Sequence, residues 1–325
     1  NAVNIIPQSG GTIGLGAGAG ILSLDNTELN RINTSGTVTI GTNGTTAMTI
    51  DGWTDDGGLT GTVVLTADDG TSGAVTFSGS ASTLTAGLTI NADNGVTLNA
   101  SLTTAGATDI NADEDDNDTG SFSLAAAEDL DTGAGALTIT AVDFTLGVDA
   151  DTDIITTGAL TLQASGTGTV TLGANTAFGI SDDELSYLNA DTLTIGDGSY
   201  AITVQGITDN NDADISNGIT LDGTDITFDT ASATFRTLTV TASGVVDIDV
   251  NITTDVGAMS LTGSTAGADG DNMAIATGVT LNATGNLTLA NDSTDALDIV
   301  GEGVLNLTTA GVLTISNAVD ANGAL

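Results

Sequence analysis

The sequence predicts an all-β protein, and within that class a parallel β-helix (β-solenoid) with two short helical insertions. Three observations carry this prediction: short alternating segments recur along the chain, Gly, Asn and Asp separate them, and aromatic residues are scarce. The 325 residues include one Trp, two Tyr and six Phe, whereas Gly occurs 44 times. Such a composition is typical of many short strands joined by tight turns.

The alternating segments place Val, Ile or Leu on one side and mostly Thr on the other. This two-residue period is that of a half-buried β-strand, and the segments recur at intervals of about ten residues. They are Thr37–Ile40, Ala74–Phe77, Gly87–Ile90, Gly95–Leu98, Ala136–Ile139, Ala159–Leu162, Thr192–Ile195, Ala201–Val204, Gly218–Leu221, Gly278–Leu281 and Asn286–Leu289, with a looser member at Gly303–Leu307.

Two segments, Leu24–Ile32 and Ile180–Leu188, have the apolar spacing of a short helix instead. Each begins with a capping box, in which the first side chain accepts from an amide of the first turn and a Glu three residues later reaches back. The two pairs are Asp25 with Glu28 and Ser181 with Glu184. We therefore expect one short helix at each place.

An internal duplication follows from the same two segments. Leu24 corresponds to Ile180, 156 positions later, and Leu102–Thr104 corresponds to Ile252–Thr254 at an offset of 150. The drift of the offset is what insertions in turns would produce. We predict a single elongated solenoid over residues 1–325, built of two related copies at about 24–179 and 180–325.

A solenoid explains why such short modules are stable. One strand-turn module cannot bury its apolar side, whereas stacked modules share a continuous core. With three strands in a coil we expect about 20–25 residues per coil, each strand pairing with the strand one coil away. The competing fold is a string of β-sandwiches, which predicts longer strands and regularly placed Trp or Tyr anchors.

The short helix, followed by a Thr-Val-Thr-Ile-Gly or Thr-Leu-Thr-Ile-Gly segment and then by many Gly-Val-Thr-Leu strands, resembles the β-strand-repeat regions of filamentous haemagglutinin-like bacterial exoproteins. The resemblance covers nearly the whole chain. It implies a right-handed parallel β-helix, export to the extracellular space or cell surface, and service as an adhesin or surface fibre.

Charge and residue types exclude several functions. The chain has 42 acidic residues, two basic residues and no His or Cys, which gives a net charge of −40. Binding to nucleic acid phosphates needs Lys and Arg, so we expect no nucleic acid partner. Serine-histidine triads, thiol nucleophiles and ordinary zinc sites cannot be built from these residues. No segment is apolar enough for a transmembrane helix, and we expect no enzyme activity.

The acidic clusters leave two interpretations open. The densest cluster spans residues 111–118, and its counterpart in the second copy includes residues 269–271. Oxygen ligands in turns suit calcium, so Asp113, Asp115, Asp118, Asp269 and Asp271 are the candidate calcium ligands. No cluster has the spacing of an EF-hand or of a calcium β-roll. The alternative is a solvated acidic loop without metal.

These observations favour a non-enzymatic extracellular structural protein that forms a stalk, fibre or surface-layer filament. Open ends of a parallel solenoid expose unpaired backbone groups, which predicts self-association by end-to-end stacking. The alternative is an adhesin or binding module for a glycan or cell surface, either with or without a dependence on calcium.

Overall fold

A computed structural model describes residues 1–7, 10–147, 153–166, 168–174, 178–209, 211–263, 273–291, 297–300, 305–316 and 319–321. The chain divides into two compact units. The first unit comprises Asn1–Thr167 with Tyr187–Ala190, and the second comprises Gly168–Ser186 with Asp191–Leu325. In both units all strand pairings are parallel and the helices are short, so the predicted all-β parallel β-helix is confirmed.

The described residues of the first part of the chain form eighteen strands and one helix. In order they are β1 (Val3–Ile5), β2 (Gly11–Gly16), β3 (Leu22–Leu24), α1 (Asn26–Leu29), β4 (Val38–Asn43), β5 (Thr45–Asp51), β6 (Thr62–Asp68), β7 (Ala74–Phe77), β8 (Ser82–Leu84), β9 (Gly87–Ala92), β10 (Val96–Leu98), β11 (Leu102–Thr104), β12 (Thr108–Asn111), β13 (Phe122–Leu124), β14 (Leu130–Gly133), β15 (Leu137–Ala141), β16 (Phe144–Leu146), β17 (Ile154–Thr156) and β18 (Ala159–Ala164).

The remainder follows the same plan. Its elements are β19 (Thr169–Gly173), β20 (Gly179–Ser181), α2 (Asp182–Leu185), β21 (Leu188–Asn189), β22 (Thr192–Ile195), β23 (Ala201–Val204), β24 (Ile219–Gly223), β25 (Ile226–Phe228), β26 (Ala233–Phe235), β27 (Leu238–Ala242), β28 (Val246–Ile248), β29 (Ile252–Thr254), β30 (Met259–Thr262), β31 (Met273–Ala276), β32 (Thr280–Ala283), β33 (Leu287–Ala290), β34 (Leu297–Val300), β35 (Asn306–Thr309), β36 (Leu313–Ile315) and β37 (Val319–Ala321).

Each unit has three parallel sheets, and successive strands of a coil pass from one sheet to the next. In the first unit sheet 1A has the order β1-β4-β6-β9-β12-β15-β18, sheet 1B the order β16-β13-β10-β7-β5-β2-β3, and sheet 1C the order β21-β17-β14-β11-β8. In the second unit sheet 2A runs β22-β24-β27-β30-β33-β36, sheet 2B runs β20-β19-β23-β25-β28-β31-β34-β37, and sheet 2C runs β26-β29-β32-β35.

The coils differ in length although their strands stay in register. Along sheet 1A, Leu88 pairs with Thr108, 20 residues later, and Thr108 pairs with Leu137 after 29 residues. Along sheet 2A, the interval from Ile219 to Leu238 is 19 residues. The expected length of about 20–25 residues per coil is therefore too narrow. The extra residues lie in corners, chiefly between β12 and β13, because a corner can lengthen without shifting a strand.

Aliphatic side chains fill the interior of each unit. Every second residue of a strand points inward, as with Val63, Leu65, Leu88 and Ile90, which are all 0% exposed. Burying one such side chain contributes about 1.5–3 kcal/mol. Equivalent residues of neighbouring coils lie in contact, and the rings of Phe122 and Phe144 stack with their centroids 5.5 Å apart. The narrow interior accounts for the shortage of aromatic residues.

The outer surface of sheet 2A carries one row of hydroxyl groups. Six residues occupy one register position on its six strands: Thr194, Thr220, Thr239, Ser260, Thr288 and Thr314. Their spacing in the sequence is irregular because the corners differ in length. In the sheet they are successive neighbours at the strand separation of about 4.8 Å.

Both predicted helices are present, and each is four residues long. Each has the complete capping box, with Asp25 and Ser181 as the N-caps. In α1 the side chain of Asn26 donates to Gly52 O at 2.8 Å and accepts from Thr54 N at 3.2 Å. In α2 Asp182 accepts from Thr208 N at 2.8 Å. The first residue of each helix thus ties it to a coil about 26 residues further along.

Candidate functional site

The acidic loop between β12 and β13 contains three of the five predicted calcium ligands. Asp113 is 0% exposed, and its carboxylate already has protein donors. Its Oδ1 accepts long hydrogen bonds from Thr119 N at 3.5 Å and Gly120 N at 3.3 Å, while its Oδ2 accepts from Ser165 Oγ at 2.5 Å. Burial of a carboxylate is tolerated where such donors replace water. The buried carboxylate of Asp113 therefore holds the loop together by accepting these three hydrogen bonds.

Asp115 and Asp118 lie in different surroundings. Asp115 is partly buried; its Oδ2 accepts from Asn117 Nδ2 at 2.7 Å, and its Oδ1 has no hydrogen-bond donor among the described residues. Asp118 is exposed and has φ +64°, in the left-handed region. Its carboxylate lies so close to Gly166 that a Cβ on that residue would be 1.7 Å from Oδ1. The loop thus extends from the end of β12 to the corner after β18.

The three predicted ligands that the structure describes, Asp113, Asp115 and Asp118, do not form a metal-binding group. Within the described ranges, no three Asp, Glu, His or Cys side chains form an arrangement that could hold a metal ion. Asp269 and Asp271 lie outside the described residues. Calcium binding at these positions stays a prediction.

The loop fastens three successive coils. Asn111 pairs in register with Thr140, and Thr140 pairs with Gln163, so the corners after β12, β15 and β18 follow one another in the stack. Val142 N, in the middle corner, donates to Gly120 O at 2.7 Å. Ser165, in the third corner, donates to Asp113. We call residues 112–121 with Ser165 and Gly166 the acidic clasp.

Other carboxylates and amides bridge neighbouring coils one at a time. In each case a side-chain oxygen accepts a hydrogen bond from a backbone N–H of the next or previous coil, which is a strong interaction when the acceptor is charged. The pairs are Asp51 with Ser80 (2.8 Å), Asp55 with Thr85 (3.2 Å), Asp93 with Gly70 (2.6 Å), Glu128 with Ser101 (2.7 Å), Asp212 with Arg236 (2.6 Å), Asp225 with Val245 (2.9 Å), Asn251 with Thr280 (2.7 Å) and Asn286 with Val312 (3.0 Å).

Sequence reasoning missed these bridges. The available signal was an Asp, Asn or Glu placed in a corner, where its side chain can reach a backbone amide that has no partner in its own strand. Many of the acidic residues therefore have a structural use that neither the calcium nor the solvated-loop interpretation included.

Threonine side chains bond to the corners that lead into sheets 1A and 2A. Thr132 Oγ1 donates to Gly135 O at 2.9 Å, Thr156 Oγ1 to the same oxygen at 2.8 Å, and Thr254 Oγ1 to Gly257 O at 2.8 Å. These three Thr side chains are 0% exposed. A buried hydroxyl that donates to a turn carbonyl satisfies two polar groups at once.

Burial changes the acidity of several carboxyl groups. Loss of hydration raises the pKa of Asp212, which is 3% exposed, and the backbone amide of Arg236 opposes this shift. Loss of hydration also raises the pKa of Asp109, Asp222 and Asp247. The pKa of Asp69 is lowered, mainly by hydrogen bonds from the Ser72 hydroxyl and backbone. For the groups whose pKa is raised, burial favours the protonated form of the carboxyl group.

One shallow groove of about 350 Å³ lies at the corner between sheets 2B and 2C. Its lining includes Thr230, Ser232, Asp249, Asn251 and Thr277, and none of its lining residues is aromatic.

Comparison with known proteins adds no relative: no family model, curated protein or solved structure matches the chain. Neither described helix has the length and apolar character needed to cross a membrane.

Proposed function

We propose that the chain is a non-enzymatic structural protein of the extracellular space or cell surface, serving as part of a stalk, fibre or surface layer. Two structural features and one feature of the sequence support this role. Each unit is a stack of coils with an aliphatic interior, and coil-to-coil hydrogen bonds, rather than a cleft, use the acidic side chains. The sequence also lacks His, Cys and Lys, which most nucleophilic and acid-base chemistry requires.

The observation that carries the proposal is the uncovered aliphatic rung of β36. Leu313 and Ile315 are 44% and 38% exposed, although their register partners Leu287 and Leu289 in β33 are 0% and 1% exposed. Among the described strands β36 pairs only with β33, so one row of its backbone groups has no strand beside it. An apolar rung with a free edge favours pairing with a further strand.

We propose that a second copy supplies that strand. The first strand of sheet 1A, β1, likewise pairs only with β4 among the described strands, and Ile6, which directly follows it, is 57% exposed. Contact between the first coil of one copy and the last described coil of another is head to tail. A head-to-tail contact that does not close into a ring produces a filament.

Sedimentation velocity and electron microscopy of the purified chain test this proposal. We expect particles that lengthen with protein concentration. The variant Ile315→Asp places a charge on the apolar rung and should abolish the lengthening, whereas Thr314→Asp adds the same charge on the outer side of the same strand and should leave it. Monodisperse single copies at all concentrations, or equal loss in both variants, would contradict end-to-end stacking.

A further inference from the structure

Asp68 and Asp93 occupy equivalent places in neighbouring coils. Ala67 of β6 pairs in register with Ala92 of β9, so the residues that follow them lie one above the other in the corner that leads to sheet 1B. Asp93 N donates to Ala67 O at 3.2 Å, which holds the two corners together. The side chain of Asp93 is 0% exposed, and that of Asp68 is partly buried.

The two oxygens of Asp93 have different surroundings. Oδ2 accepts a hydrogen bond from Gly70 N at 2.6 Å. Oδ1 is closed to solvent and has no hydrogen-bond donor among the described residues. A buried ionised carboxylate with one oxygen unsatisfied is costly, because neither water nor a donor stabilises its charge.

The charged groups around Asp93 are all negative. The previous coil contributes Asp68 and Asp69, and the following coil contributes Glu114 with Asp116 beside it. Loss of hydration and the negative charge of Asp68 raise the pKa of Asp93, against the opposing effect of the backbone donors at Gly70 and Asp69. The two basic residues of the sequence, Arg31 and Arg236, belong to other parts of the chain.

We propose that Asp93 closes this corner in its protonated form, with a proton on Oδ1 that is donated to the carboxylate of Asp68 in the neighbouring coil. A proton needs only one neighbouring oxygen, and it turns the unsatisfied atom into a hydrogen-bond donor. Calcium would need six to eight oxygen ligands, and Oδ1 is closed to solvent. The inference is independent of the proposed structural role.

Loss of that proton would open the corner as the pH rises. Two facing negative charges repel each other strongly where water is excluded. The segment most affected is the turn Asp69–Gly73, which Asp93 holds through Gly70 and which Asp69 stabilises internally by accepting from the amides of Thr71, Ser72 and Gly73. The pair thus acts as a pH-sensitive closure of one corner.

Asp93→Asn mimics the protonated state, because its amide can donate to Asp68 while its oxygen still accepts from Gly70. Asp109→Asn is the matched control, since Asp109 also has a raised pKa but lies on the outer side of β12 between Thr89 and Thr138. The first measurement is the pH dependence of the Gly70 amide resonance in ¹⁵N-labelled protein, over a range that extends below and above the ordinary aspartate value of about 3.9. The second is the melting temperature between pH 5 and pH 8.

We expect the Gly70 resonance of the unmodified chain and of Asp109→Asn to titrate with a midpoint above the ordinary aspartate value of about 3.9. The resonance should not titrate in Asp93→Asn, and that variant should melt about 2–4 °C above the unmodified chain at pH 8. Asp68→Asn, which removes the facing charge, should lower the Gly70 midpoint and provides a second test if Asp93→Asn does not fold.

Three results would overturn the proposal. The first is a Gly70 midpoint at or below the ordinary aspartate value in the unmodified chain. The second is a melting temperature of Asp93→Asn below that of the unmodified chain at pH 8. The third is a shift of the Gly70 resonance on adding calcium chloride that Asp93→Asn abolishes, because a metal ion would then hold the pair.

Discussion

The hydroxyl of Ser165 donates to Oδ2 of Asp113 at 2.5 Å, although 52 positions separate the two residues in the sequence. Both side chains are buried, and the corner of Val142 lies between theirs in the stack. The acidic clasp therefore connects coils that the strand ladders join only through an intermediate coil. Two substitutions separate what each partner contributes.

Asp113→Ala should destabilise the first unit by about 1–3 kcal/mol, because it removes the acceptor of the Thr119 and Gly120 amides and leaves the Ser165 hydroxyl with only its long hydrogen bond of 3.5 Å to Asp116 Oδ1. Ser165→Ala should cost less, since Asp113 keeps its backbone donors. Thermal and urea unfolding measure both effects, with the exposed Ser199→Ala as the control. Equal stability of Asp113→Ala and the control would show that the clasp contributes nothing.

The bridge made by Glu128 is a test of the coil-to-coil hydrogen bonds. Its Oε2 accepts from Ser101 N at 2.7 Å and from Ser101 Oγ at 2.8 Å. Glu128→Ala should cost about 1 kcal/mol and speed hydrogen exchange at the Ser101 amide, whereas Glu128→Gln keeps an acceptor oxygen and should change both much less. Identical exchange in the two variants would argue against the bridge.

The N-cap of α2 should matter more than its length suggests. Ser181 accepts from Glu184 N at 3.2 Å, and Asp182 ties the helix to Thr208. Ser181→Ala should reduce stability by about 1 kcal/mol, and Ser181→Gly by only a few tenths. Asp25→Ala at the matching position of α1 should behave like Ser181→Ala. Melting curves of the three variants compare them, and an alanine effect no larger than the glycine effect would refute the capping role.

Mild acid should stabilise the fold. A carboxyl group with a raised pKa, such as Asp212, Asp222 or Asp247, binds its proton more tightly in the folded chain. Its contribution is complete below the ordinary value of about 3.9 and is lost as the pH rises through the raised value. Asp69 has the opposite effect, because its lowered pKa gives a contribution that is lost as the pH falls.

The raised groups are more numerous, and protonation also reduces the net charge of −40. We therefore expect the melting temperature at low salt to fall as the pH rises from the ordinary aspartate value of about 3.9 through the raised pKa values and on to pH 8. Sodium chloride should raise it more at pH 8 than at pH 5, because screening acts on the repulsion among ionised groups. A melting temperature that is constant over this range at low salt would contradict the prediction.

The strands and both helices could be predicted because their causes are local. The alternation in Gly87–Ile90 and the pairing of Ser181 with Glu184 are complete within a few residues, and the structure places β9 and α2 there. The register of one coil on the next depends on corner lengths, which vary from coil to coil. The coil length predicted from the sequence was therefore too uniform.

The role of Asp113 could not be predicted for the same reason. Its sequence neighbours are acidic, which suggests a ligand for a cation, but its donor Ser165 lies two corners away. Glu128 and Asp93 are similar cases, since the amides of Ser101 and Gly70 become their neighbours only when the coils stack. Chemistry that depends on residues 20 to 50 positions apart needs the register before it can be recognised.

The strands keep their register while the corners between them vary in length, and this determines where residues can be inserted into the chain. The long corner between β12 and β13 leaves Thr108 and Leu137 paired. Peptide grafted into a corner would therefore be displayed outside an unaltered scaffold. Because corner length can vary without a change of strand register, recognition loops could be added to such a scaffold during evolution one corner at a time.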